Sequence, residues 1–120
     1  MIIKFKYDGK LKRGELLSNW EVLFNDKTFR KTNNNVLLDY ENVEIEFNSD
    51  DYNQILAFFE NNCNYIVRRK IGVIATKPLL SCFLYLIGEK INENTNCYLK
   101  IFLNEQDAMD WLVKLLPLKQ

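Results

Sequence analysis

The chain reads as an α/β domain built on a four- to five-stranded, mostly parallel sheet with about four helices. Three observations predict this. Segments with the period of a strand alternate with segments with the period of a helix, which favours parallel pairing because each crossover returns the chain to the same edge of the sheet. Two of the later strands, Val36-Leu37-Leu38 and Ile71-Gly72-Val73-Ile74-Ala75, are short apolar runs, the pattern of interior strands covered on both faces. The length, 120 residues, fits a single domain over 1–120, since a core of this size buries roughly two-thirds of the surface that the unfolded chain exposes.

Each element follows from local pattern. Ile3, Phe5 and Tyr7 alternate with Lys4 and Lys6 before the turn signal Asp8-Gly9, so the first strand has one wet face. This face does not suit a sheet covered on both sides, and predicts a sheet face that is incompletely shielded or lined by lysine stems. Leu16, Leu17, Trp20, Leu23 and Phe24 then recur at helical spacing from Gly14 to Phe24. After a polar loop through Asn33, Asn34 and Asn35, the run Val36-Leu37-Leu38-Asp39 reads as an interior strand. Val43, Ile45 and Phe47 alternate with Glu44 and Glu46, and this stretch is extended, either as a minor edge strand or as a pinned loop.

Ser49 is expected to cap the next helix, with Asp50 and Asp51 in its first turn. Tyr52, Ile55, Leu56, Phe59, Cys63 and Ile66 form the buried face. Arg68-Arg69-Lys70 reads as a solvated charged boundary, or as an anion site together with Lys77. Ile71-Gly72-Val73-Ile74-Ala75 follows as a strand. Pro78 opens a helix to about Ile91. Tyr98, Ile101 and Phe102 mark the last strand, and Asn104 caps a last helix in which Ala108, Trp111, Leu112 and Leu115 share a face before Pro117.

Composition excludes several functions. Sixteen basic residues balance sixteen acidic ones, so no net field attracts nucleic acid or an anionic membrane. Histidine is absent, which removes the commonest general base, the Ser-His and Cys-His pairs and imidazole metal ligation. No G-x-G-x-x-G, Walker loop or G-x-S-x-G elbow occurs, and only four glycines are present. The expectation is a protein that is not an enzyme and carries no cofactor and no metal. Cys63, Cys82 and Cys97 lack C-x-x-C spacing and read as reduced thiols. The first residues lack the unbroken apolar run of a secretory signal, and no stretch reaches the ~18 apolar residues of a membrane span. A cytoplasmic location is therefore expected, with peripheral membrane contact left open.

Few residues carry candidate chemistry. Asp8 and Asp39, at strand ends, could converge on a cation, although each also reads as a turn residue accepting a backbone hydrogen bond. Thr76 and Lys77 are further polar groups at a strand end. Ser49 is accessible to phosphorylation at a helix start, where Asp50 and Asp51 would repel the phosphate. Eight of the nine residues from Leu79 to Ile87 are apolar, more than a one-sided surface helix needs. The excess serves burial between neighbours, a subunit interface such as a homodimer, or a pocket wall for an apolar ligand. Leu79, Leu80, Phe83, Leu84 and Tyr85 are the candidate ligand- or partner-binding residues.

Four strings carry a family resemblance. These are Tyr7-Asp8-Gly9-Lys10-Leu11, Val36-Leu37-Leu38-Asp39, Ile71-Gly72-Val73-Ile74-Ala75-Thr76-Lys77-Pro78-Leu79, and the closing Ile101-Phe102-Leu103-Asn104-Glu105-Gln106-Asp107-Ala108-Met109-Asp110-Trp111-Leu112. Together they resemble the SpoIIAA-like family, a branch of the STAS-type domains that is also similar in fold to Sec14/CRAL-TRIO lipid-binding domains. The resemblance implies a sheet of strand order 2-1-3-4, with the family's extra N-terminal strand missing or merged. It also implies a binding or regulatory module, for a lipid-like ligand or a partner protein, or else a protein–protein switch of the anti-sigma-factor-antagonist kind. Ser49 stands near that family's phosphorylated position, within Glu46-Phe47-Asn48-Ser49-Asp50-Asp51, which departs from the family's loop.

Overall fold

A computed structural model describes residues 2–114; the expectations for Leu115 and Pro117 fall outside them. Four strands, β1 (Ile2–Leu11), β2 (Asn35–Ile45), β3 (Lys70–Ile74) and β4 (Tyr98–Phe102), form one parallel sheet. Between and after them come α1 (Glu15–Phe24), α2 (Lys27–Lys31), α3 (Ser49–Asn61), a 3-10 turn (Cys63–Tyr65), α4 (Pro78–Asn94) and α5 (Glu105–Leu112).

The strands lie in the order β1-β2-β3-β4, which corrects the expected order 2-1-3-4. The lysines of β1 supply the reason. An interior β1 would bury Lys4 and Lys6, whereas at the edge both stay exposed, and β2, with Val36, Leu37 and Leu38 all buried, takes the interior place. Right-handed crossovers between strands laid down in sequence put every crossover helix on the same face. Leu16, Trp20, Phe29, Ile55, Phe59, Leu80, Phe83 and Ile87 accordingly share one core with Ile3, Phe5, Val36, Leu38, Ile71 and Val73. The opposite face carries α5, whose Ala108 and Leu112 pack on Leu37 and Ile74. The incompletely shielded face expected from β1 is this one.

Local differences from the sequence reading have local causes. β1 continues through Asp8-Gly9, with Gly9 at φ 92, a value open to glycine at little cost. Val43 and Ile45 are neither a loop nor a separate strand. They extend β2, which holds one extra residue, since Lys6 pairs with Asp39 but Asp8 pairs with Asn42. Asp39 Oδ1 accepts the Glu41 N–H at 3.0 Å and stabilises this bulge. The short α2 had no apolar period to announce it; Asp26 caps it by accepting the Phe29 N–H at 3.0 Å, and the Phe29 ring is fully buried. The cap of α3 is Asn48 rather than Ser49, in a reciprocal box with Asp51. Asn104 caps α5 as expected.

The largest correction concerns charge. Arg68 is exposed, but Arg69 and Lys70 are 1% and 2% exposed, so the basic run is neither a solvated boundary nor an anion site. Lys70 Nζ donates to the carbonyls of Trp111 at 2.7 Å and Lys114 at 2.9 Å, and lies 4.9 Å from the Trp111 ring centre. A cation there satisfies orphan carbonyls at the negative end of α5. Asn35 assists by donating to Leu112 O at 2.8 Å and accepting the Lys70 N–H at 3.0 Å. Arg69 points to the other face, where Nε reaches Asn34 O and Nη1 reaches Phe29 O and Tyr65 O, with the Phe29 ring centre 3.8 Å from its guanidinium carbon.

Candidate functional site

The helix singled out for its apolar excess divides into two sides. Leu80, Phe83 and Leu84 are buried and pack in the core, Phe83 against the rings of Phe47 and Tyr52. Leu79 and Tyr85 are 58% and 60% exposed, and Leu86 is 49% exposed. The five candidate residues therefore do not share one surface. Leu79 stands beside Lys77 and Pro78 over a shallow cleft at the ends of β1 and β2, where Lys10 Nζ meets Glu46 at 2.8 Å. Leu84 and Tyr85 line a different and larger depression.

This second depression runs along the free edge of β4, between α4 and Trp111 of α5. Its volume is about 410 Å³, within the range of small-molecule sites. Tyr85, Gly88, Glu89 and Asn92 form the α4 wall, and Tyr98, Lys100 and Ile101 the floor. Gly88 allows helix and strand to approach, since a Cβ there would lie 3.0 Å from Leu99 Cδ2. Asn92 ties them together: its Oδ1 accepts the Leu99 N–H at 2.8 Å and its Nδ2 donates to Leu99 O at 3.0 Å. Tyr98 N–H bonds to Arg69 O, and Phe102 O accepts from Ala75 N–H. These bonds turn the backbone groups of alternate β4 residues toward β3 and leave the N–H and C=O of Leu99 and Ile101 directed away from it. Ile101 thus presents one N–H and one C=O to the groove floor. Hydrogen bonding to Glu89 raises the Tyr85 phenol above its ordinary value and keeps it a neutral donor at physiological pH.

The strand-end residues have other surroundings. Asp8 and Asp39 share the sheet face that α5 only partly covers, but Asp39 holds the bulge, and no group of three potential metal ligands occurs among the described residues. Thr76 Oγ1 donates to Glu41 O at 2.8 Å and pins the end of β3 to the bulge. Lys77 is the N-terminal boundary residue of α4 and makes no side-chain cap. Ser49 is exposed on the first turn of α3. With strands in chain order the sheet has no switch point, and so lacks the crevice in which open α/β sheets bind ligands at strand carboxyl ends. Sequence reasoning missed Glu89, Asn92, Tyr98, Lys100 and Trp111 as groove residues. The available signal was Gly88 inside a helical pattern, which marks a close approach.

No family model matches the chain, and no curated protein matches it. Among solved structures, the chain has the architecture of a SpoIIAA-like fold, the class of domain that its sheet and helices define. The similar structure is an uncharacterized protein from the DUF3478 family, with a SpoIIAA-like fold, from Shewanella loihica PV-4. The TM-score is 0.56 at 20% identity, covering 91% of this chain and 82% of that one. At this identity the likeness concerns the fold, which agrees with the resemblance read from the four strings. No helix among the described residues is long and apolar enough to cross a membrane.

Proposed function

We propose that this domain is a non-catalytic binding module that takes a small amphipathic ligand in the groove between α4 and β4. The observation that carries the reading is the groove itself: aromatic and aliphatic walls from Tyr85, Leu84 and Trp111 surround a floor at which the backbone N–H and C=O of Ile101 point away from β3. Such sites combine apolar area with a few placed polar groups. Lys100 and Glu89 stand at the rim, so either sign of a ligand's polar end finds a partner. The absence of histidine and of any phosphate loop supports a binding role over catalysis.

Titration with anilinonaphthalene sulfonate, an amphipathic probe, tests the reading. Amide shifts should concentrate at Leu84, Gly88, Leu99 and Ile101, and Tyr85→Ala should weaken binding several-fold with little change in thermal stability, since Tyr85 is largely exposed. Shifts scattered over the surface, or equal binding by Tyr85→Ala, would exclude the groove. A second reading, a STAS-type protein–protein switch, draws support from the exposed position of Ser49 at a helix start and from the fold. Ser49→Asp would then alter capture of a partner that leaves Tyr85→Ala unaffected.

A further inference from the structure

Backbone forms part of the groove floor, and its hydrogen-bonding pattern selects among ligands. Tyr98 N–H bonds to Arg69 O and Ala75 N–H to Phe102 O. The parallel ladder to β3 therefore uses Tyr98, Lys100 and Phe102, and turns the N–H and C=O of Leu99 and Ile101 to the open side. Leu99 is already occupied: a single carboxamide, that of Asn92, takes both of its groups, at 2.8 and 3.0 Å. Ile101 offers the same donor and acceptor two residues further along the strand.

Side chains alternate about this edge. Ile101 packs with the helix-side core, on the side of Leu84 and Tyr85, whereas Phe102 lies with α5, its ring centre 5.5 Å from that of Trp111. Lys100 shares the α5 side with Phe102. Its ammonium is 5.5 Å from the Phe102 ring centre, and no carboxylate lies within ion-pair distance of it among the described residues. From the rise, strand spacing and layer spacing of sheets, each residue of an added strand takes roughly 160 Å³. The groove, at about 410 Å³, thus receives roughly two to three residues.

We propose that the ligand of the groove is an extended peptide segment of alternating apolar and acidic residues, which adds to β4 as an antiparallel strand at Ile101. The inference rests on the groove being a binding site, as proposed above. In a narrow antiparallel pair, two facing residues exchange both backbone bonds, which matches the donor and acceptor of Ile101. The side chain opposite Ile101 then points toward Leu84 and Tyr85. Its neighbours in sequence point toward Trp111 and Lys100, where an acidic side chain meets the ammonium. Main-chain bonds supply affinity in this mode of recognition, and sites for alternate side chains supply selectivity. Asn92 ends the pairing at Leu99, so the paired segment is short. A second copy of the chain fits less well, because it brings its own α4 and Trp111 along its β4, and these walls meet before the two floors do.

The capped pentapeptide Val-Glu-Val-Glu-Val, titrated into the isotope-labelled full chain, should shift the Ile101 amide most and slow its hydrogen exchange. Methylating the nitrogen of the central valine removes the donor to Ile101 O and should weaken binding about tenfold. Ile101→Pro removes only an outward N–H, which an edge strand tolerates. It should weaken the peptide equally while anilinonaphthalene sulfonate still binds; if this variant does not fold, the methylated peptide decides. Lys100→Glu should reverse the preference, toward Val-Lys-Val-Lys-Val. Dye binding without peptide binding, or equal binding of the methylated peptide, overturns the inference and leaves the groove reading standing. Loss of both dye and peptide from the groove overturns both. Ile101 shifts that follow protein concentration alone assign the edge to a second copy, and overturn it as well.

Discussion

Four helices cover one face of the sheet, and an eight-residue helix covers part of the other. The two faces are held by different physics. On the thick face Trp20 is completely buried, meets Phe59 edge-on with ring centres 4.7 Å apart, and donates its indole N–H to Tyr40 Oη at 3.0 Å. Burial pushes the Tyr40 phenol up, so it stays protonated throughout the useful pH range. On the thin face α5 buries only Ala108 and Leu112, too little apolar area to fix a short helix. Hydrogen bonds from Lys70 and Asn35 to its last carbonyls make up the difference. One face is a hydrophobic core finished by a polar bond, and the other a polar anchorage finished by a small hydrophobic contact.

Variants can separate the two. Trp20→Ala should cost the most, about 3–5 kcal/mol, as a fall in the midpoint of cooperative unfolding in denaturant. Lys70→Met should cost about 1–3 kcal/mol, and its effect should be local: hydrogen exchange in α5 should speed while α4 stays protected. Global unfolding at the same denaturant concentration as Trp20→Ala would show that the faces are one unit. Lys10→Met should have the smallest effect. Lys10 holds the exposed Glu46 carboxyl below its ordinary value, so its loss should move the Glu46 titration midpoint upward in NMR. The stabilising contact is present above the ordinary carboxylate range and is lost as pH falls through the depressed value.

Much of this architecture was legible. The wet face of β1 forecast the thin side of the sheet, and Asn104 and Pro78 marked helix starts where the structure has them. Strand order was less legible, because it depends on where each crossover lands; yet Lys4 and Lys6 already argued for an edge. Arg69 and Lys70 misled because their partners are backbone carbonyls 35 to 44 residues away for Asn34, Phe29, Trp111 and Lys114. Residue type reveals a charge, but not a distant backbone able to solvate it. For the same reason the groove could be foreseen from Leu84 and Tyr85 on one wall only, since the other wall is Trp111, brought there by the path of the chain after β4.

The clamp of Asn92 on Leu99 has a consequence beyond the groove. A parallel sheet laid down in order ends in a strand whose outward amides can recruit another molecule's backbone, the usual start of edge-to-edge aggregation. The side-chain amide of Asn92 occupies one such position as a neighbouring strand's peptide would. Asn92→Leu should therefore leave the monomer folded but shorten the time to precipitation in concentrated solution, because both edge groups of Leu99 would lose their partner.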